Sequence, residues 1–172
     1  VTASKAAIRL GVTKMSANRC FDEIEYLNVD ILGMKGKSRV ITVPADIQKL
    51  WNDVRVILRN PVIARYELKE DIQLGKKAGI TALCEYSLLS DNEYPTYAIT
   101  KKEITESGIR KMKQVHSGEE IGCVVLELGY FIDFKNKKLE DPLSVTLSLT
   151  ESEKQDERIG ISIKRMLEEY VW

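Results

Sequence analysis

The chain has 172 residues, of which 44% are hydrophobic and 30% charged, a composition typical of globular proteins and not of disordered ones. No apolar run approaches the ~20 residues that a membrane-spanning helix needs, so a membrane partner is not expected. The formal net charge is zero, but residues 1–62 carry a net charge of +4 and residues 63–172 a net charge of −4. This asymmetry predicts different partners for the two regions.

The cysteines and the histidine limit the kinds of disulfide and metal site that the chain can form. Cys20, Cys84 and Cys123 are far apart in sequence, which argues against a disulfide framework or a zinc ribbon. Reduced, mostly buried thiols in a cytoplasmic protein are the simpler interpretation. His116 has no Cys or His neighbour, and we expect it in a solvated loop. The sequence therefore predicts no metal ion and no cofactor.

Two helices are predicted at the start of the chain. Thr2 is a good N-cap for a helix that ends at Leu10, and Gly11 can adopt the positive φ of a helix stop. Thr13 caps a second helix over residues 14–27. Four residues of this second helix recur at helical spacing and are expected to face inward: Ala17, Phe21, Ile24 and Leu27.

The outward face of the second helix is polar and basic in its first two turns. A helix fits the major groove with its N-terminal residues at the base edges, where Arg suits guanine and Asn suits adenine. The hydroxyl of Ser16 and the free amides of the helix could hold a phosphate. The residues predicted to contact DNA are Thr13, Lys14, Met15, Ser16, Asn18 and Arg19. The alternative is an ordinary helical hairpin with a solvated face.

A basic β-hairpin is predicted next. The β-prone runs "VDILGM" and "RVITV" are joined by "KGKS", in which Gly36 can supply the turn. Lys35, Lys37 and Arg39 make the tip basic, and we expect them to lie along the phosphate backbone. Together with the two helices, these residues resemble a winged helix-turn-helix of bacterial transcription regulators, without the first helix of that fold.

The rest of the chain predicts an α+β domain. Pro44 opens a helix with a wide apolar stripe, and Arg59–Pro61 ends it, which divides the chain into domains 1–62 and 63–172. The second domain is expected to have a central, mostly antiparallel sheet with covering helices. Its predicted strands are "VIARYEL", "TYAIT", "IGCVVLELGYFIDF" and "PLSVTLSLT", with a turn at "KNKK". Three helices are predicted in this domain: one that begins near Gly79, one over Lys101–Val115, and one over "ERIGISIKRMLEEYVW".

A metal-dependent nuclease is the catalytic alternative, because such sites use clustered carboxylates beside an acid-x-Lys pair. Glu127 lies in an apolar strand with Asp133 and Asp141 near in sequence, but Gly129 stands where the lysine would be. Glu127 could instead pair with a basic residue on a sheet face. With one histidine, no Ser/His/Asp set or Cys/His pair can be assembled, so we expect no enzymatic activity.

The second part of the chain also carries a family resemblance. The stretches "GITALCEYSLLSDNEYPTYAITKKE", "VVLELGYF", "EDPLSVTLSL" and "DERIGISIKRMLEEYVW" resemble the C-terminal domain of AbiEi-type proteins. These MarR-like regulators are antitoxins of type IV toxin–antitoxin systems. The resemblance implies binding to inverted repeats in the gene's own promoter, with a recognition helix over Lys14–Asp22 and a wing over Lys35–Arg39. It also implies that the C-terminal domain counters a nucleotidyltransferase-like toxin.

These inferences converge on a DNA-binding transcriptional regulator that also acts as an antitoxin. The expected partners are an operator in double-stranded DNA, a cognate toxin and a second copy of the chain. Two alternatives stay open at this point: a winged domain that binds a protein instead of DNA, and the nuclease.

Overall fold

The computed structural model describes residues 1–90, 92–130 and 138–172 of a mixed α+β protein with two compact units, Val1–Leu58 and Arg59–Trp172. The sequence predicts the boundary after Val62, four residues further along the chain. In the structure Val62 instead belongs to the second unit, as the first residue of a strand. The helices are α1 (Ala3–Leu10), α2 (Lys14–Tyr26), α3 (Ile47–Val54), α4 (Gly79–Tyr86), α5 (Lys101–Ser107), α6 (Pro142–Ser148), α7 (Glu151–Gln155) and α8 (Glu157–Tyr170). The strands are β1 (Leu32–Lys35), β2 (Ser38–Ile41), β3 (Val62–Leu68), β4 (Lys76–Lys77), β5 (Thr96–Thr100) and β6 (Cys123–Leu128). Within the described ranges, no helix has the length and apolar character to cross a membrane.

The helix boundaries at the start of the first unit confirm the predicted caps. The Thr2 side chain accepts the amide of Lys5, and the Thr13 hydroxyl accepts the amide of Ser16 at 3.1 Å. Gly11 ends α1 with a φ of +64°, a conformation that costs glycine little. These caps leave a turn of three residues between the two helices.

A small core holds α1, α2 and the hairpin together. Its buried residues are Ala3, Ala7, Ala17 and Phe21, and Leu32 and Ile41 at the base of the hairpin pack against them. Ile24 is half-buried, whereas Leu27 is 48% exposed because it lies past the end of α2. The inward face of α2 is therefore shorter than the sequence predicted.

The hairpin of β1 and β2 is antiparallel, with Lys35 opposite Ser38 and a two-residue turn between them. Gly36 has a φ of +62°, which favours glycine at this position. Thr2 forms an antiparallel bridge to Val40, so the start of the chain lies along β2. After the hairpin, Asp46 caps α3 by accepting the amide of Lys49 at 2.8 Å. As a result, α3 begins later than the predicted start at Pro44.

The second unit is built on a four-stranded mixed sheet with the order β3-β6-β5-β4. β6 pairs antiparallel with β3 and parallel with β5, and β4 pairs antiparallel with β5. One face buries Leu68, Ile99 and Val125 with Ile104 of α5 and Ile109 of a 3₁₀ turn. The other face buries Val124, Leu126 and Leu128. α4 contacts β5, α6 and α8.

Two predicted elements of the second unit are wrong. The stretch "PLSVTLSLT" forms α6 and not a strand: Asp141 is its N-cap, accepting the amide of Ser144 at 2.9 Å, and Pro142 opens it. The predicted helix over Lys101–Val115 ends at Ser107, because Gly108 has a φ of +71°, and a 3₁₀ turn follows. Asp133 lies outside the described residues, and so does the predicted turn at "KNKK" except for its last residue, Lys138.

Candidate nucleic-acid interface

The first two turns of α2 present the predicted polar residues to solvent. Lys14, Ser16 and Arg19 are exposed, Met15 is 67% exposed and Asn18 is half-buried. The exposed hydroxyl of Thr13 caps the helix and lies 2.9 Å from the hydroxyl of Ser16. A polar, partly cationic surface therefore surrounds the N-terminus of α2.

The charges along α2 run against the helix dipole. Isolated helices are stabilised by acids in the first turn and cations in the last, each worth about 0.3–1 kcal/mol. α2 has no acid in its first turn and no cation in its last; instead Lys14 and Arg19 occupy the first half and Asp22, Glu23 and Glu25 the second. This order does not favour the helix itself, but it suits an anion at the N-terminal half.

The hairpin tip places two cations on either side of a glycine. Lys35 is the last residue of β1, Lys37 precedes β2, and both are exposed with Gly36 between them. The prediction of a basic tip is therefore confirmed for these two lysines. The arrangement can neutralise closely spaced negative charges.

Arg39 was grouped with the tip lysines, but its side chain lies against α2. Its Nη1 atom donates to Asp22 at 2.6 Å and to Glu25 at 3.2 Å, and its guanidinium lies 5.9 Å from the centre of the Phe21 ring. The hydrogen bond to Asp22 is the main cause that raises the pKa of Arg39. No local sequence pattern predicts this contact, because the three charges meet only when the hairpin folds back on α2.

Glu127, the residue of the nuclease alternative, has both carboxylate oxygens occupied. The Tyr66 hydroxyl donates to it at 2.8 Å, and Arg110 donates to each oxygen at 3.1 Å. Burial alone would raise the pKa of Glu127, but these hydrogen bonds outweigh burial and hold the pKa below its usual value. Asp141 serves as the cap of α6, and the described part of the chain contains no cluster of acids, cysteines or histidines fit for a metal ion.

A buried carboxyl in the second unit was not anticipated. Glu140 is 2% exposed, and among the residues that the structure describes its side-chain oxygens make no well-formed hydrogen bond, although the Gly79 amide and Lys76 weakly favour the ionised form. Burial, and then the neighbouring Asp141, raise the pKa of Glu140 to about 8. No local pattern marks Glu140 as buried, since "KKLEDP" resembles a solvated turn.

The isolated sulfur and imidazole groups do not form a site in the described residues. His116 is exposed, as expected, and its amide donates to Glu119. Cys20 is exposed, Cys84 is half-buried and Cys123 is buried, so the thiols are less buried than the sequence predicted.

No protein-family model, no curated protein and no solved structure matches this chain.

Proposed function

We propose that residues 1–58 are a winged helix-turn-helix module that binds double-stranded DNA, and that the chain is a transcriptional regulator. The observation that carries this proposal is the exposed, polar and cationic first half of α2, which lacks any acid in its first turn. The three-residue turn before α2 and the basic tip of the following hairpin support it. These are the parts that such a module needs in this chain order.

In this mechanism α2 enters the major groove. Arg19 and Asn18 are placed to read guanine and adenine edges, while Lys14 at the start of the helix meets a phosphate. Lys35 and Lys37 neutralise backbone phosphates beside the groove. A second copy of the chain binds the other half of an inverted repeat about one helical turn away.

The antitoxin role is the second part of the proposal and depends on the family resemblance. In this role the second unit engages a nucleotidyltransferase-like toxin in the cytoplasm, and the first unit represses the operon that encodes both proteins. Co-purification with the product of a neighbouring gene, and its loss when residues 59–172 are deleted, would test this role.

Removing the Arg19 side chain should weaken the preference for a specific DNA sequence. We expect Arg19→Ala to cost about 1–3 kcal/mol of binding free energy on the preferred duplex and little on shuffled duplex, because a base contact is lost. Fluorescence anisotropy on both duplexes measures this difference. Equal losses on the two duplexes would contradict a base-reading role for Arg19.

Removing Lys37 should instead weaken binding to all sequences. We expect Lys37→Ala to lower affinity on preferred and shuffled duplexes alike and to reduce the slope of log affinity against log salt by about 1, since one phosphate contact is lost. A salt titration of the wild type and the variant measures the slope. An unchanged slope would remove Lys37 from the interface.

A gel-shift assay of the full chain against the DNA upstream of its own gene separates the remaining alternatives. Retarded, sequence-dependent complexes support the regulator. Absence of binding to any duplex favours a winged module that binds a protein. Metal-dependent cleavage that disappears with Glu127→Ala would favour the nuclease.

A further inference from the structure

We propose that Arg39 is a positioning residue: it ties the hairpin to α2 through Asp22 and Glu25, and this tie ends the DNA footprint on α2 after Arg19. The inference rests on the proposed DNA-binding function and assigns Arg39 a role different from that of the tip lysines. In this role Arg39 orients the hairpin relative to α2, so that both elements meet one duplex.

The geometry of the tie is specific. Asp22 and Glu25 are three residues apart on α2, so their side chains lie on one side of the helix. A single nitrogen of Arg39 reaches both carboxylates, at 2.6 and 3.2 Å, while the guanidinium lies over the Phe21 ring. The Arg39 side chain is 31% exposed, compared with 64% for Asp22 and 68% for Glu25. The cation is thus the covered member of the group.

The tie has a consequence for charge. Two carboxylates surround one guanidinium, which leaves this part of the surface negative and unfavourable for a phosphate. With Glu23, the second half of α2 carries three acids, whereas its first half carries two cations, Lys14 and Arg19. The duplex is therefore held by the first half of α2 and by the hairpin tip, and Arg39 sets the angle between them.

A phosphate-contacting Arg39 would behave differently. In that case Arg39→Gln would reduce the salt slope by about 1, and removing the acids with Asp22→Asn and Glu25→Gln would free the arginine and strengthen binding. If Arg39 is a positioning residue, both changes break the same tie. Both should then lower the preference for the specific duplex, and neither should reduce the salt slope.

The test uses the full chain and two probes: a duplex enriched by the wild-type protein from a randomised pool, and a shuffled duplex of equal composition. We expect Arg39→Gln and the Asp22→Asn/Glu25→Gln double variant each to lower the specific-to-shuffled affinity ratio by roughly two- to fivefold. Combining all three changes should produce no further loss, because one tie has been removed. Glu23→Gln is the matched control, since it removes an acid of α2 without touching the tie, and its ratio should equal that of the wild type.

The outcomes distinguish a failure of DNA binding from a failure of the positioning role. A wild-type chain without preference for the enriched duplex overturns the proposed function. A selective wild type whose Arg39→Gln variant keeps its ratio but loses about one unit of salt slope overturns only the positioning role. Melting curves followed by Trp51 fluorescence in a Trp172→Phe background confirm that the first unit of each variant is folded.

Discussion

Replacing Lys14 with Glu should abolish detectable DNA binding while leaving the first unit at least as stable as the wild type. Lys14 is the first residue of α2, where an acid favours the helix dipole by about 0.3–1 kcal/mol. The same acid would face a phosphate or a base edge of the bound duplex, and like charges in an interface cost several kcal/mol. The substitution is therefore expected to stabilise α2 while it weakens DNA binding.

Anisotropy with the enriched duplex measures the loss of binding, and thermal unfolding followed by Trp51 fluorescence in a Trp172→Phe background measures the stability of the first unit. Lys102→Glu is the matched control, because Lys102 lies in the first turn of α5 in the second unit and the substitution changes the net charge equally. The control should bind almost as well as the wild type. Retained binding by Lys14→Glu would show that the N-terminus of α2 does not meet the duplex.

The largest stability effect is expected at Glu140. Its pKa is raised from 4.5 to about 8 by burial and by Asp141, so the folded protein holds a proton that the unfolded chain releases near pH 4.5. The free energy of unfolding must therefore fall as the pH rises from about 4.5 to about 8. Glu140→Gln keeps the shape of the protonated carboxyl and cannot ionise, so this part of the pH dependence should vanish.

A tenfold change in an ionisation constant corresponds to about 1.4 kcal/mol. We therefore expect the free energy of unfolding of the Gln variant to exceed that of the wild type by a few kcal/mol at pH 9 and to match it near pH 5. Urea unfolding in a Trp51→Phe background reports on the second unit, since Trp172 is then the one tryptophan in the chain. Glu120→Gln, which removes an exposed carboxyl, should leave the pH profile unchanged. Parallel profiles for Glu140→Gln and the wild type would show that Glu140 ionises normally.

Short-range chemistry explains the predictions that the structure confirms. The caps at Thr2 and Thr13 and the stop at Gly11 depend on residues within one helical turn, so the sequence contains all the information needed. The strands at "VIARYEL" and "TYAIT" are similarly marked by β-branched and aromatic residues. The exposed polar face of α2 follows from the helical period once the caps are known.

The stretch at residues 142–149 shows where periodicity misleads. Leu143, Val145, Leu147 and Leu149 alternate as in a half-buried strand, yet the segment through Ser148 is helical. An Asp N-cap followed by Pro is a local helix-start signal, and it outweighs alternation over so few residues. Val145 and Leu149 are buried four residues apart, as the helical period requires.

Neighbours along the chain were enough to predict the caps of α1 and α2, most of the strands, and the cations at the start of α2 and at the hairpin tip, because each of these depends on residues within a few positions. Packing of distant elements was needed to reveal that Arg39 bonds to α2, that Arg110 and Tyr66 donate to Glu127, and that Glu140 is buried. These features join residues as many as 61 positions apart. Burial and ion pairing depend on which surfaces meet when the elements pack, and no local pattern encodes that information.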